Sequence, residues 1–562
     1  MKAFLLIYPA VTLASLAACS SGSNGPATPP TVSCATPAMV DLAPGQSVIL
    51  DPTATGGCIQ FPDPAGTPSA HLVVAVATNG QETPDGISTS YSLTGGEAVA
   101  AAPAPMDVPS VGGFRRPGTA EAFHSHLRAM DRDLARAMGT GVIAAAPPVR
   151  RVPPILGGQR TFNVCANTNC NSFVSVTATA KYVGPNAAIY LDNAAPSGGY
   201  DQSDIDAAGA LFENPTYGLH VLDTTAFGPE SDVDGNGVVV ILLTPKVNKL
   251  SGNCSQGIIA GFFLGLDLTS GTGSNNGEVF YSMVPDPNNT TGTCPLSKAD
   301  ASYLLPVTFI HEFQHMISFN QHVLQRGSLF TEDTWLNEGL SHFAEELGGR
   351  QIDESACPTP PGFPNDTLSK CLQQYASGDI YNAYDYLVDP TATYLIEPGS
   401  STGTLVERGA NWLFVRWMVD QFATDSVLGN AFTQQLVMTA DHGVTNVENR
   451  TGTTFSILVP QWQIANFTEG DTNFVQTPAT SRFRYKTWNL RKIYSSNPNS
   501  FLRPYPLVPP VMTTGINRSG TLLAGSGLHV IVLRSAADTA ANIRLTTGNA
   551  AAAARFGVVR LQ

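Results

Sequence analysis

Charged residues are scarce in this chain of 562 residues: they make up 13% of it, against roughly a quarter in ordinary globular proteins. Basic residues are the scarcer kind, with 30 Lys and Arg against 44 Asp and Glu, and the net charge is −14. This balance excludes nucleic acid as a partner, because phosphate binding needs a basic surface. Glycine and proline are plentiful, with 52 and 41 residues, which favours a β-rich extracellular protein with many loops.

Apolar runs long enough to cross a bilayer are absent from the sequence, including its N-terminus. Residues 1–18 combine a positive start with a short apolar stretch, and this pattern predicts an export signal. The signal ends in Leu-Ala-Ala before Cys19, which resembles a bacterial lipobox. The resemblance implies that Cys19 is lipidated and that residues 19–31 tether the protein to the bacterial cell envelope, at the outer membrane or cell surface. A plain secretory signal with an incidental cysteine, followed by release from the cell, is the alternative.

The cysteines agree with export. Nine are present, and eight remain once Cys19 is set aside. An even number in an exported protein indicates disulfide bonds, although the sequence alone does not fix their connectivity. Our hypothesis is that neighbours in the sequence pair: Cys34 with Cys58, Cys165 with Cys170, Cys254 with Cys294, and Cys357 with Cys371.

Three regions flank the centre of the chain. Residues 32–100 contain short apolar runs bounded by Gly and Pro, which predict a β-sandwich-like module. Residues 101–157 form an Ala/Pro-rich linker with one helix at 119–138, where apolar residues recur at helical spacing. This helix is either a propeptide-like element or a spacer, and we favour the spacer. Residues 500–562 predict a separate C-terminal β module.

Residues 158–495 mix strand and helix patterns, so an α+β fold is expected there. The predicted strands are 173–178, 187–191 and 238–243, and the predicted helices are 203–212, 295–319 and 411–422. The aromatic residues of the last helix are interpreted as core and not as a platform for substrate.

The helix predicted at 295–319 carries the pattern H-E-x-x-H at His311, Glu312 and His315. Two histidines four residues apart project from one helical face and can bind one zinc ion, with the Glu as general base. A core helix with incidental histidines would bury two imidazoles and a carboxylate without partners, at a cost of roughly several kcal/mol. The pattern therefore predicts a zinc site.

The third zinc ligand is either a His in the metzincin position or a Glu on the following helix, where Glu345 and Glu346 compete with Glu338. The metzincin pattern fails, because Ser318 and Gln321 stand where Gly and His are required and His322 is one residue out of step. The segment W-L-N-E-G at 335–339 resembles that of gluzincin peptidases, in which the Glu binds zinc. This resemblance implies Glu338 as the ligand, and two His with one Glu leave a fourth position for water.

The surroundings of the ligands are less defined by the sequence. Many gluzincins place an acidic residue four positions after the ligand Glu, whereas this chain has His342 there. Glu345 shares the same helical face and is our candidate for the carboxylate that orients a ligand imidazole. The tyrosines of 379–386, Arg408 and His442 are candidates for stabilising an oxyanion, and the sequence does not choose among them.

Four segments resemble the hyicolysin family of bacterial zinc metallopeptidases: 311–317, 335–342, 408–414 and 419–422. The resemblance covers about 185–470 and implies a zincin-like catalytic domain within 158–495, flanked by all-β modules. It implies one catalytic Zn²⁺, with protein or peptide substrates. We expect a monomeric endopeptidase. Two alternatives stay open: an exopeptidase, which would need an acidic clamp for the substrate amine, and an inactive surface-binding lipoprotein on the same scaffold.

A second metal is suggested by Asp232, Asp234 and Asn236, which alternate before a Gly as in the opening of calcium loops. An EF-hand would need a Glu where Leu243 stands, so a complete EF-hand is excluded. The alternatives are a Ca²⁺ site of another kind and a polar turn that leads into the next strand.

Overall fold

The computed structural model describes residues 34–96, 119–139, 151–252, 254, 257–292, 294–360, 367–399, 403–472, 474 and 481–562. The predicted export signal, Cys19 and the tether lie outside the described residues. Among the helices in these described ranges, none combines the length and the apolar character that crossing a membrane requires.

The fold is α+β. Strands β1 to β16 are, in chain order, Ala38–Met39, Ser47–Leu50, Cys58–Phe61, Ser69–Ala77, Ser88–Gly96, Gln159–Cys165, Phe173–Val183, Ala187–Asp192, Val239–Leu243, Gly261–Phe263, Val279–Ser282, Val511–Met512, Gly515–Leu523, Gly527–Arg534, Ala541–Thr547 and Ala554–Arg560. Helices α1 to α12 are Thr119–Gly139, Gln202–Glu213, Leu219–Phe227, Pro245–Leu250, Lys298–Phe319, Thr334–Gln351, Lys370–Val388, Leu405–Phe422, Asn430–Val437, Gly443–Thr451, Phe455–Thr468 and Leu490–Ser496. The strands and helices predicted from periodicity are all present, with shifted ends.

The two β segments at the ends of the chain form one sandwich, so the prediction of separate N-terminal and C-terminal modules needs correction. One sheet has the order β1-β3-β15-β5-β13 and the other β12-β14-β4-β16-β2. The reason lies in β4, whose residues are buried on both faces. Leu72, Val74 and Val76 face the main core, whereas the residues between them face the interior of the sandwich. A strand buried on both faces lies in the middle of its sheet. Strands β14 and β16 pair with the two edges of β4.

The central region contains a six-stranded sheet with the order β10-β11-β9-β8-β7-β6. Strands β8, β9 and β11 are parallel, and β10 runs antiparallel to β11 at the edge. All five residues of β9 are buried, because one core lies on each face of this sheet. Within the described part of the chain, no strand pairs with the outer edge of β10.

Helices α5, α6, α7 and α8 pack against each other beside this sheet. A side chain at Gly339 of α6 would collide with the Asn411 carbonyl oxygen of α8 at 2.9 Å, so glycine allows the two helices their close approach. Trp412 and Trp417 of α8 are fully buried, which confirms their interpretation as core. Glu346 of α6 fixes the first of them by accepting a hydrogen bond from its indole N–H at 3.0 Å.

The disulfide prediction is confirmed. The structure pairs the cysteines in sequence order: Cys34 with Cys58, Cys165 with Cys170, Cys254 with Cys294, and Cys357 with Cys371. Each bond closes a local loop within one region of the fold, so the sandwich and the central sheet are held together by packing and hydrogen bonds.

Candidate metal centre

Three side chains from two helices meet at one point in the core. His311 and His315 lie on one face of α5, and their Nε2 atoms are 3.2 Å apart. Glu338 lies on α6, with Oε2 3.7 Å from the His311 Nε2 and Oε1 3.8 Å from the His315 Nε2. The structure thus brings together the three residues predicted as ligands.

The other ring nitrogen of each histidine is held by a neighbour. The Nδ1 of His311 lies 2.7 Å from the Glu345 Oε1. The Nδ1 of His315 lies 3.2 Å from the Asn337 Oδ1 and 3.1 Å from the Ser341 Oγ. These contacts orient both rings so that the Nε2 atoms face Glu338, which is the arrangement that metal-binding histidines require.

The arrangement fits a cation. Both carboxylate oxygens of Glu338 are buried, and neither has a hydrogen-bond partner among the residues that the structure describes. Ligand atoms bound tetrahedrally at 2.0–2.1 Å from zinc stand about 3.3 Å apart. The two Nε2 atoms are 3.2 Å apart, and the Glu338 oxygens lie a little farther out, at 3.7 and 3.8 Å. Two imidazoles and one carboxylate are a donor set that zinc favours, and a cation between them would satisfy the unpartnered oxygens.

The charge states agree with this arrangement. Burial opposes ionisation of Glu338, but Arg408 and the two histidines lower the pKa of its carboxyl well below the usual range. Burial lowers the pKa of His315 well below its usual value, so its imidazole is neutral near neutral pH. An anionic carboxylate beside a neutral imidazole is the state in which both bind metal.

His342 extends the network away from the metal ligands. Its Nδ1 lies 2.8 Å from Asp379 Oδ1 on α7 and 3.2 Å from Glu345 Oε1. Burial opposes its charge, but these two carboxylates raise the pKa of His342 to about 10. Burial also opposes ionisation of Glu345, but His342 and the bond to His311 lower the pKa of Glu345 to about 2. His342 therefore keeps anionic the carboxylate that orients His311.

Glu312 is buried beside the histidines. Its Oε2 accepts a hydrogen bond of 2.8 Å from the Phe263 backbone N–H of β10. Burial raises the pKa of Glu312, and the nearby charges of His311 and Arg128 partly oppose the rise. The backbone contact fixes a carboxylate that is a stronger base than an exposed Glu.

Among the candidates for stabilising an oxyanion, Arg408 is the one that reaches the centre. Arg408 is buried, its Nη1 lies 3.5 Å from Glu338 Oε2, and its Nε and Nη2 have no hydrogen-bond partner. The tyrosines of 379–386 pack elsewhere: Tyr386, for example, accepts a hydrogen bond from Gln463 and stacks on a tryptophan. His442 is paired with Asp333 at 2.6 Å.

The carboxylates that come together at the predicted calcium loop, residues 232–236, include one that was not predicted. Asp232 and Asp234 come together with Glu278, a residue that the sequence analysis missed. Asn236, the third residue predicted for this site, adjoins the cluster: its Oδ1 accepts a hydrogen bond from Val238 and its amide group donates to Asp234. Its role as a calcium ligand stays a prediction.

Sequence reasoning also missed Asn337, Ser341 and Asp379. Asn337 immediately precedes Glu338 in the W-L-N-E-G segment, so its closeness to the candidate ligands could have been inferred from the sequence. Asp379 comes from another helix and reaches the site only through tertiary packing. No local pattern indicates it.

Comparison with known proteins gives a coarse placement. No protein-family model matches the chain. Neutral metalloprotease ShpI of Staphylococcus hyicus is 29% identical over 198 residues. That stretch covers 34% of this chain and 40% of the relative, so less than half of the relative is matched. The similarity supports a metallopeptidase relationship; it does not extend far enough to show membership of the hyicolysin family.

The ligand assignment leads to a first prediction. Glu338→Ala removes a ligand and should abolish zinc binding, whereas Glu345→Ala removes only the group that orients His311 and should weaken affinity by about 10–100-fold. His442→Ala, which changes a histidine outside the centre, is the control and should bind zinc normally. Zinc per chain and competition with a chelator measure the effects. A greater loss with Glu345→Ala than with Glu338→Ala would refute the assignment.

Proposed function

We propose that this protein is a zinc-dependent endopeptidase that hydrolyses peptide bonds in proteins or peptides. The observation that carries the proposal is the convergence of the His311, His315 and Glu338 donors on one point, with Glu312 fixed beside them. The relationship to a neutral metalloprotease supports it. The inactive-scaffold alternative gives no reason to bury a carboxylate at Glu312, since burial without a role costs free energy.

The roles of the residues follow from their positions. A zinc ion, when bound, would lower the pKa of a water ligand and polarise the carbonyl of the scissile bond. Glu312 would take a proton from the attacking water and pass it to the leaving amine. The Phe263 N–H holds the Glu312 carboxylate in place for both transfers. No clamp for a substrate amine is evident in the sequence, which favours cleavage within chains over trimming of their ends.

Arg408 is suited to stabilise negative charge on the substrate. It is held by Glu338 at 3.5 Å, and two of its nitrogen atoms have no partner, so N–H donors stay available. A buried guanidinium is always protonated and costs no reorganisation when the charge develops. We assign it this role in preference to the tyrosines and His442, which have partners elsewhere.

The test of catalysis uses the full chain loaded with zinc and casein as substrate. A chelator should remove activity, and added zinc should restore it. Glu312→Gln should bind zinc normally but lose activity by roughly 100-fold or more, because the base is gone. Arg408→Met should lower kcat by about 100-fold. Zinc-loaded Glu312→Gln with full activity would refute the mechanism, and a zinc-free chain would refute the site.

The sequence of the N-terminus supports a location for this activity. We propose that the mature chain is held at the bacterial cell envelope by a lipid on Cys19, a proposal that rests on the lipobox-like segment. Cells that express the protein in the presence of a radiolabelled fatty acid should label it, and Cys19→Ser should not be labelled. A plain secretory signal would leave both proteins unlabelled.

We further propose that the acidic cluster binds calcium through Asp232, Asp234 and Glu278. Among the described residues the Glu278 Oε2 is buried without a hydrogen-bond partner, so this oxygen is available to a cation. Arg151 lies 3.4 Å from Asp234 and already neutralises part of the charge. We therefore expect weak affinity, on the order of 0.1–1 mM, as in other extracellular modules.

Calcium at about ten times its dissociation constant should stabilise the folded chain by about 1.4 kcal/mol and raise the melting temperature measurably. Glu278→Gln should melt at the same temperature with and without calcium. Asp206→Asn, an exposed carboxylate on α2, is the matched control and should keep the shift. An unshifted melting temperature of the unmutated chain in millimolar calcium would contradict the proposal.

A further inference from the structure

Helix α1, for which we favoured a spacer role, packs directly on the edge of the sheet that adjoins the metal centre. Phe123 and Leu127 are fully buried, and the Phe123 ring contacts the Phe262 ring of β10 edge to face at 5.0 Å between centroids. Leu134 and Ala135 belong to the core on the other face of the sheet. The helix therefore passes along the free edge of β10 and is anchored on both faces.

Polar side chains of α1 bind one backbone group of that edge and one in the turn that follows β10. The Arg128 Nη2 donates to the Phe263 carbonyl oxygen at 3.1 Å, and the Gly265 N–H donates to Asp131 Oδ1 at 2.9 Å. Arg128 and Asp131 also pair with each other at 3.4 Å, and both are buried. A free strand edge offers such groups to any extended peptide, so α1 takes the place that a peptide backbone would use.

The same face of α1 reaches the metal ligands. Arg128 and Asp131 line a cavity with room for about one water molecule, and His315 and Asn337 form its opposite wall. Little space is left between α1 and the centre for a substrate.

Further contacts fasten the C-terminal half of the helix. Arg132 donates to the Thr334 Oγ1 at 2.6 Å and to the Gly399 carbonyl oxygen, and it lies 3.4 Å from Glu82 Oε1. Thr334 begins α6, the helix that carries Glu338. One guanidinium thus ties α1 to the helix that bears a ligand and to the sandwich segment at Glu82.

We propose that α1 is an autoinhibitory element, which covers the metal centre in the full chain and must leave the edge of β10 before a peptide can bind. The proposal rests on the proposed peptidase function for its consequence but on the contacts of Arg128 and Asp131 for its geometry. The intact chain then has a low basal activity, which is set by how often this helix leaves the edge of β10.

The test compares two double variants of the full chain. Arg128→Ala with Asp131→Ala removes the buried ion pair that holds the β10 edge. Asp133→Ala with Arg136→Ala removes an exposed pair at 3.2 Å with the same spacing on the same helix, and serves as the matched control. The first should release zinc to a chromogenic chelator about tenfold faster than the unmutated chain, and the control should release it at the original rate.

Hydrolysis of a quenched fluorescent peptide is measured on the same samples. The first double variant should show a kcat/KM about tenfold higher than the unmutated chain, because the helix dissociates more often. Unchanged zinc release and unchanged hydrolysis would overturn the proposal. Faster zinc release without hydrolysis in any variant would uphold the covering role of α1 and refute the peptidase function instead.

A second variant keeps the proposal testable if the double variant fails to fold. Arg132→Gln keeps the Arg128–Asp131 pair but loosens the C-terminal half of α1 from Thr334 and Glu82. It should raise both rates less than the double variant, and circular dichroism should show an unchanged fold. A folded Arg132→Gln protein with rates equal to those of the unmutated chain, together with an unfolded double variant, would count against the proposal.

Discussion

The buried carboxylate of Glu338 is the constraint around which the centre of the molecule is arranged. An anion in the core is tolerable only next to positive charge, and Arg408 of α8 supplies one charge at 3.5 Å. The two carboxylate oxygens of Glu338 still lack hydrogen bonds to any described residue. A cation bound between the two histidines would supply the missing partner. The close approach of α6 and α8 at Gly339 is therefore part of the metal centre and not only of the packing.

A chain of contacts leads outward from this anion. Asn337 and Ser341 on α6 hold His315, whereas Glu345 on the same helix holds His311. His342, also on α6, lies 3.2 Å from Glu345 and 2.8 Å from Asp379 of α7. Helix α6 thus carries both the candidate ligand Glu338 and the side chains that orient the other two candidate ligands, His311 and His315.

Local patterns carry sequence prediction a long way in this chain. The i, i+4 spacing of His311 and His315, the position of Glu338 and the loops closed by neighbouring cysteines are all local, and the structure places them as expected. What sequence could not show depends on distant segments. Asp379 and Glu278 join their clusters through tertiary packing. The joint sandwich and the position of α1 depend on which strand edges remain unpaired after folding. The periodicity of the sequence does not reveal this.

The joint sandwich has a consequence for how this protein is made. Strand β4, an uninterrupted apolar segment, emerges early in synthesis, but its two neighbours β14 and β16 are among the last residues of the chain. At about 5–20 residues per second, the wait is on the order of tens of seconds. Throughout that interval β4 has two unpaired edges and high β propensity, the properties that promote aggregation. The pairing of β4 with its two native neighbours therefore waits until the C-terminal strands have been synthesised.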